Sequence, residues 1–167
     1  DWESDYLPIN YASCGLPVAY KMVYPRVEEI QPEQLDYIVA YVDSFEDALY
    51  GDEFLDEANG YRNFISVKSF VDFLITNEFS ANYDSYGRST FLYKDKNGEI
   101  NIGPAWDYDR AFAPWDVSGW VWENTHPAWP FPFWWDRLQD DEEWRNEVYC
   151  RYNDVRQHIL TDENITA

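Results

Sequence analysis

Positive charge is scarce in this chain: 12 lysines and arginines stand against 32 aspartates and glutamates, a formal net charge of −20. Nucleic acid and anionic membrane surfaces both require a basic face, so neither is an expected partner. The balance suits cationic partners, divalent metals or neutral sugars, and it also serves solubility. An anionic substrate would need a metal to bridge it. Histidine and cysteine are sparse, with two of each. His126 and His158 have no companion at zinc or triad spacing and are expected to be structural. Cys14 and Cys150 fit neither a zinc pattern nor C-x-x-C, and are expected to form one disulfide or to be two buried thiols. No apolar run approaches the roughly 20 residues of a bilayer crossing, so no membrane span is expected.

Aromatic residues, by contrast, make up 20% of the 167 positions, which excludes a disordered acidic tail. The length suits one domain, 1–167, with a substantial core. The chain opens on "DWESDYLPIN" and stops at "TDENITA", where Thr161 reads as the cap of another helix. A piece of a longer protein is therefore expected.

Period and punctuation give the organisation. "LPVAYKMVYP" (Leu16 to Pro25) alternates around Val18, Tyr20, Met22 and Tyr24, which predicts a strand closed by proline. Pro32 opens a helix with Leu35, Ile38, Val39, Val42, Phe45 and Leu49 on one face and Gly51 at its end. A second helix is predicted from near Ser66 to about Phe79, and "SANYDSYGRS" follows as a loop. Two strands, "TFLYKD" and "EINIGPAW", are joined by the turn Lys96-Asn97-Gly98. A long stretch rich in Trp and Pro precedes two helices, one around Trp134 to Gln139 and one carrying Trp144, Val148, Tyr152, Val155 and Ile159. This order predicts an α+β, helix-dominated fold with the hairpin buried against helices.

Three carboxylates flank that hairpin. Asp84 precedes it, while Asp107 and Asp109 follow it, separated only by Tyr108. Carboxylates gathered this way repel unless a cation, a proton or a substrate hydroxyl holds them. A loop after a buried helix, then a hairpin, then an aspartate at its exit is the layout of a protein-kinase C-lobe. There one aspartate accepts the proton of the acceptor hydroxyl, and later residues hold the metals on the phosphates. On that layout Asp84 is the first carboxylate, Asp107 the metal aspartate, and Ser89 stands five residues after Asp84. Neither H-R-D nor D-F-G occurs as a literal string.

The segment "NYDSYGRSTFLYKDKNGEINIGPAWDYDRAF" (Asn82 to Phe112) resembles the CotH family of spore-coat-protein-H kinases. Their pattern runs N-x-D, a short polar stretch, strand, turn, then P-x-W-D-[YFW]-[DN]. "YRNFISVKSFVDFLITNEFSAN", "PFWWDRLQDDEEWRNEVYCRYNDVR" and "GLPVAYKMVYP" extend the similarity over most of the chain. The resemblance implies an atypical kinase-like fold that uses ATP and magnesium or manganese to phosphorylate Ser or Thr of a partner protein. It implies an extracellular or bacterial-surface setting. Asp84 is then the catalytic aspartate, Asp107 a metal ligand, and Asp109 a nearby second-metal or supporting group. Ser89 stands where the pattern often carries an Asn metal ligand, a weaker neutral donor. The resemblance also implies that 1–167 is the C-terminal part of a kinase domain whose N-lobe is absent, so that the piece alone is inactive.

Other residues invite competing readings. Lys21 in "VAYK" echoes a kinase nucleotide lysine, yet no glycine-rich loop precedes it, and it is expected to face solvent from a strand. "DKNGEIN" has its glycine at position four where an EF-hand needs it at six, so a hairpin turn is expected. Arg88 is expected to pair with Asp84 or to contact phosphate, and Trp106 and Tyr108 to wedge the Asp107 loop. The segment Trp115 to Trp135 is expected to be core. Exposed instead, it would suit a glycan cleft with Asp84, Asp107, Asp109 or Glu123 as acid and base. A degenerate, purely structural kinase-like domain is the third alternative.

Overall fold

A computed structural model describes residues 1–82, 84–112, 119–123 and 128–166. In chain order its elements are β1 (Trp2–Glu3), α1 (Tyr11–Cys14), β2 (Ala19–Tyr20), α2 (Pro32–Tyr50) and a 3-10 turn (Tyr61–Asn63). Then come α3 (Val67–Ser80), α4 (Asp84–Gly87), β3 (Leu92–Lys94), β4 (Ile100–Ile102), α5 (Trp134–Leu138), α6 (Glu142–His158) and α7 (Asp162–Thr166). The fold is α+β and helix-dominated, with two antiparallel hairpins, β1–β2 and β3–β4.

The predicted helix stripes become core only in part: Leu35, Ile38 and Val39 at the start of α2 are half-buried, and Tyr152 and Ile159 toward the end of α6 are exposed. Pro32 starts α2 where a missing N–H costs nothing, and Gln34 Oε1 accepts the Gln31 N–H at 2.9 Å. The second half of α2 buries Val42, Phe45 and Leu49. On α3, Phe70, Val71, Phe73, Leu74 and Ile75 are buried. Between these helices sit aromatics from the far end of the chain. Trp134 meets Phe45 edge-on at 5.1 Å, and Trp135 stacks on Phe73 at 5.7 Å. In the described part of the Trp115–Trp135 segment Val121, Trp122, Phe131, Trp134 and Trp135 are core, whereas Trp120 is exposed and Trp129 half-buried. Trp115 and His126 lie outside the described residues.

Two buried carboxylates tie the periphery to this core. Glu46 of α2 accepts hydrogen bonds from Ser4 Oγ at 2.7 Å, Tyr20 OH at 2.7 Å and Trp134 Nε1 at 2.8 Å, fastening β1–β2 to α2 and α5. Asp141, at the N-cap of α6, accepts from the Glu143 amide at 2.8 Å and from Tyr61 OH at 2.6 Å. It also accepts from Arg62 Nη2 at 2.8 Å, while Arg62 Nη1 reaches Glu147 at 2.7 Å.

The β3–β4 hairpin pairs Leu92 with Ile102, Tyr93 with Asn101 and Lys94 with Ile100. Asn97, at φ +62°, makes its turn, and the Gly98 N–H donates to Asp95 O at 3.0 Å, as expected of a turn rather than a calcium loop. The chain entering α3 adds a short parallel contact to β4. Ile100 N–H donates to Phe64 O and Ser66 N–H to Ile100 O, both at 2.8 Å, and Ser69 Oγ accepts the Ile102 N–H at 3.2 Å. Ile100 and Ile102 are thereby buried, and β4 is held against the start of α3.

Several expectations need correction. The strand read over Leu16 to Pro25 shrinks to Ala19–Tyr20, because β1 offers only Trp2 and Glu3 to pair with it. Lys21 lies just past that strand and is exposed. Cys14 and Cys150 are free thiols, the first half-buried and the second exposed on α6, so they are neither bonded together nor both buried. The loop expected to carry Asp84 contains a single helical turn, α4. His158 is exposed at the end of α6, its Nδ1 3.1 Å from Asp154 Oδ1.

Candidate active site

The site is built outward from the last turn of α3. Ala81 ends that helix in the left-handed conformation at φ +51°, its N–H returning to the carbonyls of Asn77 and Glu78. The chain reverses into Asn82, which is buried and donates from Nδ2 to Ser85 Oγ at 2.7 Å. Asp84 opens α4, and its backbone oxygen accepts the Arg88 N–H at 2.7 Å. Gly87 closes this turn against the fully buried Phe131. A Cβ there would lie 2.6 Å from two of the ring carbons, so only glycine lets α4 sit so close.

The second segment arrives from β4. Asp107 takes φ +62°, and Tyr108 turns inward to donate its hydroxyl to Asn77 Oδ1 at 2.8 Å. Asn77 is fully buried on α3. Two residues after Arg110, Phe112 N–H donates to Ser80 O at 2.6 Å, returning the chain to the same helix end. Phe112 also meets Phe79 edge-on at 5.8 Å.

The two segments meet at two points. Ser89 Oγ donates to Asp107 Oδ2 at 3.0 Å, and Arg110 Nε lies 3.7 Å from Asp84 Oδ2. The Asp84 side chain is 14% exposed, whereas Asp107 and Asp109 are exposed. Ser89, Asp107 and Phe112 all have positive φ without being glycine, at +51°, +62° and +56°. Backbone held in this region costs about 1–3 kcal/mol per residue and persists only where the surroundings impose it.

Beneath the site, Glu78 accepts the Val121 N–H at 2.6 Å, the Trp122 N–H at 3.2 Å and Tyr86 OH at 2.7 Å. Burial raises its pKa above the ordinary carboxylate range, although these hydrogen bonds oppose the shift. Burial likewise raises the Tyr108 phenol, so it stays protonated as a donor. Glu123, exposed, accepts the Trp120 N–H at 3.3 Å and belongs to its own turn.

The donor chemistry around Asp107 fits a small hard cation. A carboxylate and a hydroxyl in contact, with Asp109 two residues on, offer oxygen ligands only. Among the described residues no group of three His, Cys, Asp or Glu side chains forms a closed cage. Magnesium sites typically use one or two carboxylates and take the remaining ligands from water and substrate phosphates, so an open half-site is the expected form.

Ser89 thus meets Asp107, eighteen residues on, and Asp84 meets Arg110 rather than either of them, while Asp109 sits at the start of the next turn. Arg88 does not pair with Asp84: its guanidinium lies over the Trp129 ring, 4.5 Å from the centroid. Arg110 contacts Asp84 instead. Tyr108 wedges its loop as expected, but Trp106 is 58% exposed and only edges Phe91 at 6.2 Å. Asn77 is not among the residues the motifs single out, although a polar residue four positions after Phe73, on the core face of α3, is a readable signal.

A family model described as CotH kinase protein matches residues 14–167. Comparison with curated proteins and with solved structures returns no match.

Proposed function

The chain belongs to the CotH kinase family, and from that premise we propose that it forms the C-lobe of an atypical protein kinase. The kinase would transfer the γ-phosphate of ATP to Ser or Thr of a surface or secreted protein. The observation that carries this reading is the meeting of residues 84–89 with 107–110, through Ser89–Asp107 and Asp84–Arg110. Asp84 orients the acceptor hydroxyl and takes its proton, and its low exposure limits competition from water. Asp107, with Ser89 and Asp109 as further oxygen donors, holds magnesium or manganese. The bound ion supplies neutralisation of phosphate charge that this acidic chain would otherwise repel. Most of the protein's contribution is positioning, which the two anchors to α3 provide.

The nucleotide lysine and the glycine-rich phosphate cover are assigned to a preceding lobe outside these 167 residues, because no such loop occurs in the sequence and Lys21 is exposed beyond β2. The chain alone is then inactive, and phosphate transfer by it to a serine-rich peptide would overturn that assignment. An extracellular or bacterial-surface setting follows from the family reading. Among the described residues no helix is long and apolar enough to cross a membrane.

The experiment is Asp107→Asn in the full-length protein, titrated calorimetrically with Mn–ATP. Metal-dependent nucleotide binding is expected to disappear while the melting temperature holds. Unchanged affinity would remove Asp107 as the metal ligand.

A further inference from the structure

The Asp84 carboxylate faces a cation that kinase-pattern spacing did not single out. Arg110 leaves a turn fastened at both ends to the last turn of α3, through Tyr108 OH to Asn77 Oδ1 at 2.8 Å and Phe112 N–H to Ser80 O at 2.6 Å. The position of its backbone is therefore set, yet its side chain is 52% exposed. Its Nε lies 3.7 Å from Asp84 Oδ2, close enough for an ion pair and too far for a hydrogen bond. Among the described residues the Arg110 guanidinium makes no hydrogen bond, whereas Arg62, Arg137 and Arg151 commit theirs to carboxylates and carbonyls. Arg88, the other arginine beside α4, is stacked on Trp129. Arg110 thus offers a fixed cation with unspent donors, next to the residue that takes the acceptor proton, in a chain of net charge −20.

We propose that Arg110 is a catalytic residue that hydrogen-bonds the phosphoryl group during its transfer; this rests on the kinase reading above. In the step it serves, the acceptor hydroxyl oxygen forms a bond to the γ-phosphorus. The bond from that phosphorus to the β,γ-bridging oxygen breaks, and the nucleoside diphosphate leaves with the electron pair. The hydroxyl proton passes to Asp84. Negative charge is spread over the three equatorial oxygens of the moving group, and a planar guanidinium matches two of them at once. Without nucleotide, Arg110 rests against Asp84. A phosphate, with more charge and a better geometric match, replaces that loose contact and leaves Asp84 to the hydroxyl.

The test compares Arg110→Ala and Arg110→Lys with Asp84→Ala and Asp107→Asn, all in the full-length protein, using Mn–ATP and a Ser/Thr peptide. Arg110→Ala is expected to lower kcat by about 10²–10³-fold, as loss of a transition-state donor does, with a much smaller change in Mn–ATP affinity. Arg110→Lys keeps the charge but not the fork and should recover only part of the loss. Guanidinium ion added at low millimolar concentration should raise the turnover of Arg110→Ala and not that of the unsubstituted protein. Transfer that survives Arg110→Ala while Asp84→Ala and Asp107→Asn abolish it overturns this assignment alone. So does a loss of turnover that parallels a loss of melting temperature and resists guanidinium. Absence of transfer in the unsubstituted protein, or its persistence in both aspartate variants, overturns the kinase reading and this assignment with it.

Discussion

Asp141 and Glu78 are two carboxylates that each hold a loop onto the helical core, and their surroundings act on the charge in opposite directions. At the α3–α6 side, burial would raise the Asp141 pKa, but hydrogen bonds from Tyr61, Arg62 and the Glu143 amide outweigh it and hold the group below the ordinary aspartate value. At the site side, burial dominates for Glu78, whose donors are the uncharged Tyr86 hydroxyl and two amides, with Glu123 adding repulsion. The first region is locally consistent: charge meets charge, and side chains fill the core. In the second, Glu78 is met among the described residues by uncharged donors only, and positive-φ residues and exposed acids lie close by. That pattern is expected where a fold gives up stability for a site.

The sharpest way to break the comparison is to remove one group from each region. Asp84→Ala in the full-length protein should lower turnover by about 10²–10⁴-fold, the range for a positioned general base. Mn–ATP affinity and melting temperature should move little, since Asp107 and the proposed preceding lobe carry binding. Parallel loss of stability, affinity and turnover would make Asp84 a scaffold residue and erase the distinction between the regions.

In the core the reverse is expected. Trp134→Ala removes a ring buried against Phe45 and the donor to Glu46, and should destabilise the chain by about 3–5 kcal/mol. Urea unfolding measures it. A cost below about 1 kcal/mol would mean that the aromatic layer between α2 and α5 repacks freely.

The smallest effect is a difference in slope. Because the folded pKa of Asp141 is depressed, its contribution is present above its unfolded value, about 3.9, and is lost as pH falls through the folded value. Because that of Glu78 is raised, its contribution is present below its unfolded value, about 4.3, and is lost as pH rises through the folded value. Urea midpoints followed from acid to neutral pH should therefore lose the acid-side decline in Asp141→Asn and the opposing decline above it in Glu78→Gln. Identical profiles in the two variants would show that the carboxylates are not differently solvated.

The long periodic elements were legible in the sequence because each repeats its signal. The apolar stripe from Leu35 to Leu49, the run from Val67 to Ile75, and the alternation on either side of Lys96-Asn97-Gly98 each state a period several times over. The N-x-D and W-D-Y-D patterns around the hairpin carried the family, and with it the candidate acids Asp84 and Asp107. Short elements left no such trace. The single turn Asp84–Gly87 spans too few residues to show a period, and the strand at Ala19–Tyr20 is limited by its two-residue partner, paired as Trp2–Tyr20 and Glu3–Ala19. Side-chain pairing was beyond the sequence altogether. Arg88 stands four residues from Asp84 and Arg110 twenty-six, yet Arg110 reaches the carboxylate, because the Tyr108 and Phe112 anchors return its turn to α3 while Trp129 takes the nearer arginine. Composition and period determined the helices and the hairpin, and the family pattern named the candidate acids. Which cation meets which acid was decided only when distant segments packed against one helix end, since chain proximity does not fix distance in a folded core.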